Sequence, residues 1–227
     1  MKNFKLQFPV LYQTLTEEKT QERLFAMSEE IIKFNGKINL VSPSTIANIE
    51  SVHFLDSVLG AQLILKDTPF LELYDVGSGN GFPGLILASL DAQRSIKLVE
   101  SDKRKAEFIE HCAFKMKLSN VEIICARVEN LNLSHPALFV SRAFSSIPKA
   151  LDLYAKACPQ GFEAYHFKSL HWEREIIKPP VAFTEKNVPC GTNKLGDFYH
   201  KVVGKYQLPH NGQDFFIIRS TPRKMLK

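Results

Sequence analysis

Between residues 16 and 34 the apolar positions Leu24, Phe25, Met27, Ile31, Ile32 and Phe34 recur at helical spacing among Glu and Lys, which predicts an amphipathic helix. A turn through Asn35-Gly36 and the Ser42-Pro43-Ser44 cluster separates it from a second helical segment at about residues 50–65. After Pro69 the period changes. Short apolar runs at 71–76, 96–100, 121–126 and 138–141 alternate with helical stretches from Pro83 and over 103–117, and such alternation predicts βα units building a parallel sheet. A further strand is expected at 163–168, and 198–206 with 214–220 are expected to form a terminal antiparallel pair. Pro and Gly between Lys178 and Gly196 mark a loop. The expected organisation is an N-terminal helical cap, 1–68, over an α/β domain, 69–227, within a single structural unit.

Composition sets limits around this pattern. With 44% hydrophobic and 23% charged residues, the 227-residue chain can bury one substantial core plus an accessory segment. There is no run of about 18 apolar residues, and Lys2, Lys5, Glu17, Glu18 and Lys19 stand where a secretory apolar run would sit, so a soluble cytoplasmic protein is expected, with no membrane partner. Cys112, Cys125, Cys158 and Cys190 are too far apart for a Cys-x-x-Cys motif. They are expected to be reduced and mostly packing residues, and no metal site is expected. A formal charge of +5 permits a polyanionic partner without requiring one.

The chemistry concentrates in Asp75-Val76-Gly77-Ser78-Gly79-Asn80-Gly81-Phe82-Pro83-Gly84, which follows a strand and opens a helix, with Pro83 suited to the first helical turn. Gly79-x-Gly81-x-x-Gly84 fits the dinucleotide fingerprint, so a NAD reading has to be weighed. Gly77 and Asp75 ahead of it give the order Asp-x-Gly-x-Gly-x-Gly, which resembles the first motif of S-adenosylmethionine methyltransferases. That ligand presents an amino-acid end, a ribose and an adenine in place of a pyrophosphate. Asp75 is suited to orient the ammonium, while glycine amides approach the chain. Glu100 closes the next strand about twenty residues on, where a carboxylate can accept hydrogen bonds from both ribose hydroxyls. Arg127-Val128-Glu129-Asn130 follows the third strand, where the resemblance to such methyltransferases puts the adenine ring, and Val128 and Glu129 can frame it. Ser141-Arg142-Ala143-Phe144 ends the fourth strand, which points Arg142 to the carboxyl edge where parallel sheets bind ligands. Each piece alone has a plainer reading, as a tight turn, a strand end, a helical-turn cap or a solvated arginine.

Taken together, Asn39-Leu40, His53-x-x-Asp56-Ser57, Asp75 to Gly84, Arg127-Val128-Glu129 and Ser141-Arg142-Ala143-Phe144 resemble the bacterial 16S ribosomal RNA guanine-N7 methyltransferases, also called the glucose-inhibited division protein B family. The resemblance covers about residues 39–168; Gly81-Phe82-Pro83-Gly84 and Ser141-Arg142-Ala143-Phe144 are its most specific parts. It implies an α/β, Rossmann-like class I methyltransferase fold: a central, mostly parallel seven-stranded sheet with an antiparallel terminal strand and an N-terminal helical extension. It implies S-adenosyl-L-methionine as cofactor and 16S rRNA, or the small ribosomal subunit, as partner. Gly77, Gly79, Phe82, Glu100, Val128, Glu129 and Arg142 are the cofactor-binding candidates from loop, spacing and resemblance. His53, Asp56, Arg104, Arg127 and Lys168 carry over as candidates for shaping the substrate side or meeting RNA. Residues 172–205 fall outside the resemblance.

The N7 of guanine offers a lone pair and no proton, so direct displacement on a sulfonium methyl needs no general base, and no catalytic side chain is assigned. Consistent with this, Lys178-Pro179-Pro180-Val181 does not match the Asn/Asp-Pro-Pro-Tyr/Phe motif of exocyclic amine methylation, and Pro189-Cys190 lies beyond the fourth strand, where a pyrimidine nucleophile is expected. Lys103, Arg104, Lys105, Lys115 and Lys117 make one helix strongly basic and suited to phosphate, whereas Arg219 to Lys224 reads as a solvated basic terminus. Two other readings share the cofactor site: a methyltransferase acting on a small molecule or protein, and a non-catalytic module binding S-adenosylmethionine or RNA. A monomer is expected, since no long heptad pattern is present.

Overall fold

In the computed structural model, which describes residue 5 and residues 7–68, 72–176 and 198–223, one sheet of seven strands organises the chain. They are β1 (Glu72–Val76), β2 (Ser95–Glu100), β3 (Val121–Cys125), β4 (Ala137–Arg142), β5 (Phe162–Ser169), β6 (Phe198–Gln207) and β7 (Asp214–Pro222), in the spatial order β3-β2-β1-β4-β5-β7-β6. The first five pair in parallel. β7 runs antiparallel to both β5 and β6, so it lies inside the sheet, with β6 at the edge. Central strands are covered on both faces, which is why Leu73 to Val76 and Ala137 to Ser141 are buried without alternation.

Among the described residues seven α-helices accompany the sheet: α1 (Pro9–Thr14), α2 (Glu18–Phe34), α3 (Pro43–Ile46), α4 (Asp56–Asp67), α5 (Gly84–Leu90), α6 (Lys103–Lys115) and α7 (Ile147–Ala157). α4 is entered through a wide helical turn, Glu50–Leu55. The amphipathic stripe of α2 puts Leu24, Met27 and Ile31 into the same core as Leu85, Ile86 and Phe108. Asn35 Oδ1 accepts the amides of Leu40 and Val41 at 2.9 and 2.8 Å, and Asn80 donates to the Leu40 carbonyl at 3.0 Å, so the segment after α2 holds the glycine loop directly.

Several elements differ from the pattern read above. α6 stops at Lys115 because Lys117 adopts φ 53°, in the left-handed region. At its start, Asp102 accepts the amides of Arg104 and Lys105, a cap worth about 1 kcal/mol. Pro83 stands just before α5 instead of within its first turn. α1 and α7 were not apparent in the pattern, yet Leu11 of α1 and Ile147, Ala150, Leu151 and Tyr154 of α7 are buried. Far from a solvated terminus, Arg219 pairs with Asp67 and Glu163 at 3.1 and 2.9 Å, and Ser220 and Thr221 are buried. Cys112 and Cys158 are buried as packing residues, whereas Cys125 is exposed. The expected loop at 178–196, with Pro179-Pro180 and Pro189-Cys190, lies outside the described residues. No helix among the described residues is long and apolar enough to cross a membrane, and none of their His, Cys, Asp and Glu side chains group into a metal site.

Candidate cofactor site at the strand tips

The glycine loop leaves β1 with Gly77, Gly79 and Gly81 at φ 72°, 59° and 94°, conformations that L side chains rarely adopt. The amides of Gly77 and Ser78 donate to the Val99 carbonyl, and that of Gly79 to Glu100 Oε2 at 2.8 Å, so the tip of β2 fixes the loop. A Cβ on Gly77 would lie 2.5 Å from the Phe144 ring, while one on Gly79 would meet only the Gly77 carbonyl at 3.8 Å. The loop is therefore closed on one side and open on the other, as an approaching ligand requires.

Asp75 lies beneath this loop. Its Oδ2 accepts the Gly84 amide at 3.0 Å, at the start of α5, and Oδ1 is buried without a partner. Burial pushes its carboxyl up to about 7, against hydrogen bonds from Ser78 and Gly84 and the nearby Arg142 charge, which favour the ionised form. Asp75 thus ties the loop to the helix start through one oxygen and keeps the other unpaired.

A cavity of about 290 Å³ opens at the carboxyl ends of β1 to β4, walled by Gly77, Val99, Ala126, Val128, Glu129 and Phe144. Arg127 stands at its rim, 74% exposed and 3.8 Å from Glu129. Val76, Ser101, Ser145, Lys149 and Leu153 also line it, the last two from α7, whose sequence signal is the apolar i, i+3, i+4, i+7 series Ile147, Ala150, Leu151, Tyr154. Gly77, Val128 and Glu129 are thereby brought together. Gly79 and Glu100 adjoin the cavity without lining it, because Glu100 accepts the Gly79 amide with one oxygen and the Asp102 amide with the other, both at 2.8 Å.

Arg142 and Phe82 fall into a second cluster. Arg142 Nη1 donates to Asp56 Oδ2 at 2.8 Å and to the Val52 carbonyl at 3.1 Å, and Nη2 meets His53 Nδ1 at 2.9 Å. Its guanidinium also lies over the Phe82 ring, 5.4 Å from the centroid, and His53 stacks on the same ring at 5.6 Å. Burial, with the Arg142 charge, lowers the His53 imidazole to about 4, so it is neutral at pH 7. Beside this cluster a second hollow, about 360 Å³, is lined by Asp56, Arg142, Phe167, Lys168, Glu175 and Phe215. Lys168 Nζ donates to the Ser145 carbonyl and to both Glu175 oxygens at 2.8–3.0 Å. Arg104 lines neither hollow and is 73% exposed on the first turn of α6.

These side chains suit an adenosyl ligand with an amino-acid tail. Gly79 leaves room at the loop, Glu129 supplies an acceptor and Val128 and Phe144 supply apolar walls, in a volume near the lower end of the range of about 300–1,000 Å³ usual for ligand pockets.

Known proteins resemble this chain in sequence and in fold. A family model described as rRNA small subunit methyltransferase G matches residues 20–192, extending on both sides of the resemblance read from the motifs. Ribosomal RNA small subunit methyltransferase G 3 of Bdellovibrio bacteriovorus is 34% identical over 199 residues, covering 87% of this chain and 85% of the relative. Ribosomal RNA small subunit methyltransferase G of Desulfotalea psychrophila is 32% identical over 201 residues, covering 87% and 88%. A SAM-dependent methyltransferase from Aquifex aeolicus, 13% identical, superposes with a TM-score of 0.50 over 80% of this chain and 99% of that one, a likeness of fold. The chain belongs to the rRNA small subunit methyltransferase G family. Its fold is the S-adenosylmethionine-dependent methyltransferase fold, and S-adenosyl-L-methionine is its cofactor.

Proposed function

We propose that this member of the family methylates the N7 of a guanine in 16S rRNA of the small ribosomal subunit. The observation that carries the reading is the pairing of two hollows along one edge of the sheet: the loop cavity at Gly77, Val128 and Glu129, and beside it the hollow that Arg142 and Lys168 line. The first suits the cofactor, the second an unstacked base. On this reading residues 1–68 are the cap and 69–227 the methyltransferase domain of a soluble, cytoplasmic monomer.

When bound, the cofactor supplies a sulfonium methyl as electrophile. The chain's own residues hold the reactants in line, an effect worth about 7–11 kcal/mol in well-oriented systems. Gly77, Gly79 and Glu100 fix the loop, Val128 and Glu129 frame the adenine, and Phe144 excludes water. Asp56 and His53 lock the Arg142 fork, so Arg142 and Phe82 serve as positioning residues between the two hollows and not as an acid or base. Neutral His53 leaves Arg142 as the cation of that cluster, and Lys168 is held by Glu175. Arg127, at the rim and beside Glu129, and Arg104, on the outer surface and beside Asp102, are exposed enough to meet phosphate, as recognition of a base extruded from folded RNA requires.

The test is transfer of labelled methyl from S-adenosylmethionine to small subunits and to naked 16S rRNA from cells lacking the protein, followed by mapping of N7-methylguanosine. One new N7-methylguanosine is expected. Label on another atom, or only on protein or small molecules, overturns the reading.

A further inference from the structure

α2 and α6 run antiparallel, with Glu30 against His111 and Phe34 against Phe108, and two different grooves lie along their seam. The one near the start of α6 is lined by Phe34, Ile38, Arg104, Glu107, Phe108 and His111. Its positive charge is offset, because Glu107 pairs with Lys103, and Glu30 with His111 and Lys33.

The groove at the other end, about 460 Å³, is lined by Lys19, Glu22, Arg23, Lys115 and Lys117, with Ala26 and Met116 between them. α2, together with α6 and the turn that follows it, thus brings four cations and one carboxylate to a single hollow. None of Lys19, Lys115 and Lys117 makes an ion pair among the described residues, and Arg23 Nε is buried with no hydrogen-bond partner. Next to Lys115, Phe114 is 78% exposed, the most exposed of the large apolar side chains described. An aromatic ring left in water beside unpaired cations contributes nothing to the core, yet it offers a face to a nucleobase. A helix of 13 residues spans about 20 Å, so this groove stands well away from the strand tips where α6 begins.

We infer that this groove is a second docking site for the substrate RNA, taking a phosphodiester on Lys19, Arg23, Lys115 and Lys117 and stacking an unpaired base on Phe114. It rests on the rRNA reading above, and adds to it a contact that positions the substrate without touching the reacting atoms. Charge complementarity selects the occupant: unpaired cations around one hollow favour a polyanion, and the exposed ring favours one that carries bases.

The experiment uses the full chain with 16S rRNA and small subunits from cells lacking the protein. Binding is measured across a salt series, and kcat and KM for RNA are measured separately. Lys115→Glu with Lys117→Glu should flatten the salt dependence by about two ion equivalents and raise KM for RNA about tenfold or more, with kcat and cofactor affinity unchanged. Phe114→Ala should weaken RNA binding about tenfold, and Phe114→Tyr should restore it. Both sites are exposed, and unchanged melting temperatures confirm folding. An unaltered salt slope in the lysine variant, or wild-type affinity in Phe114→Ala, overturns the inference. Absence of methyl transfer to rRNA by the unaltered chain instead overturns the functional reading itself.

Discussion

Arg142 donates to Asp56 at 2.8 Å, joining β4 to the first turn of α4 across 86 positions of sequence. The other Asp56 oxygen accepts the Tyr206 hydroxyl at 2.6 Å, so a single carboxylate ties α4, β4 and the edge strand β6 together. Both members of the ion pair are largely buried. Removing one charge from such a pair leaves the other without compensation in the interior. Arg142→Ala is expected to lower unfolding free energy by about 3–5 kcal/mol in urea titrations, and Asp56→Ala, Arg142→Ala together to cost less than the sum of the two. Arg142→Lys should also destabilise, since one ammonium cannot reach Val52, Asp56 and His53 in the fork geometry.

The loop gives two binding predictions. Gly77→Ala forces a left-handed residue, about 1–2 kcal/mol, and drives its Cβ into Phe144, a wall of the cavity. Calorimetric affinity for S-adenosylmethionine should fall at least tenfold, which is about 1.4 kcal/mol. Glu100→Gln replaces an oxygen that accepts a loop amide by an NH₂ that faces one, and a similar loss is expected with a modest drop in melting temperature.

The Asp75 carboxyl titrates near 7 in the folded chain, raised from 3.8 by burial. The folded state therefore keeps a proton that the unfolded chain releases, and the associated stability is complete below about pH 4 and declines until about pH 7. Asp75→Asn cannot ionise. Its stability relative to the parent should rise by up to a few kcal/mol between those limits and be flat above them; a constant difference would contradict the assignment.

The histidines act in the opposite direction. Burial lowers His53 to about 4 and His166 to about 3, so the unfolded chain takes up protons below 6.5 that the folded one refuses, and stability falls as pH drops through that window. His166→Asn should remove about one proton equivalent from the pH dependence of unfolding between pH 6 and 4.

The sheet and its site were legible where the signal is local. The glycine spacing, Glu100 at the end of the next strand and Val128-Glu129 after the third follow from the short βα repeat, since each falls at a strand terminus within its own unit. Asp75 was legible as a residue but not as a direction: only the packed loop shows it turned to Gly84. The Asp56–Tyr206 bond spans 150 positions and left no trace in any spacing. The same holds for Arg142, whose partners come from the turn before α4. α7 was missed although its apolar series is regular, and with it Lys149 and Leu153.

The order in which strands leave the ribosome differs from the order in which they lie. β6 emerges before β7 but touches β5 only through it, so during synthesis the exposed rim of β5 has no native neighbour and β6 has nothing to adhere to until residues 214–222 arrive and slide between them. For that interval the growing chain carries two open edges that could accept the wrong strand, and a premature stop before Asp214 would make that condition permanent.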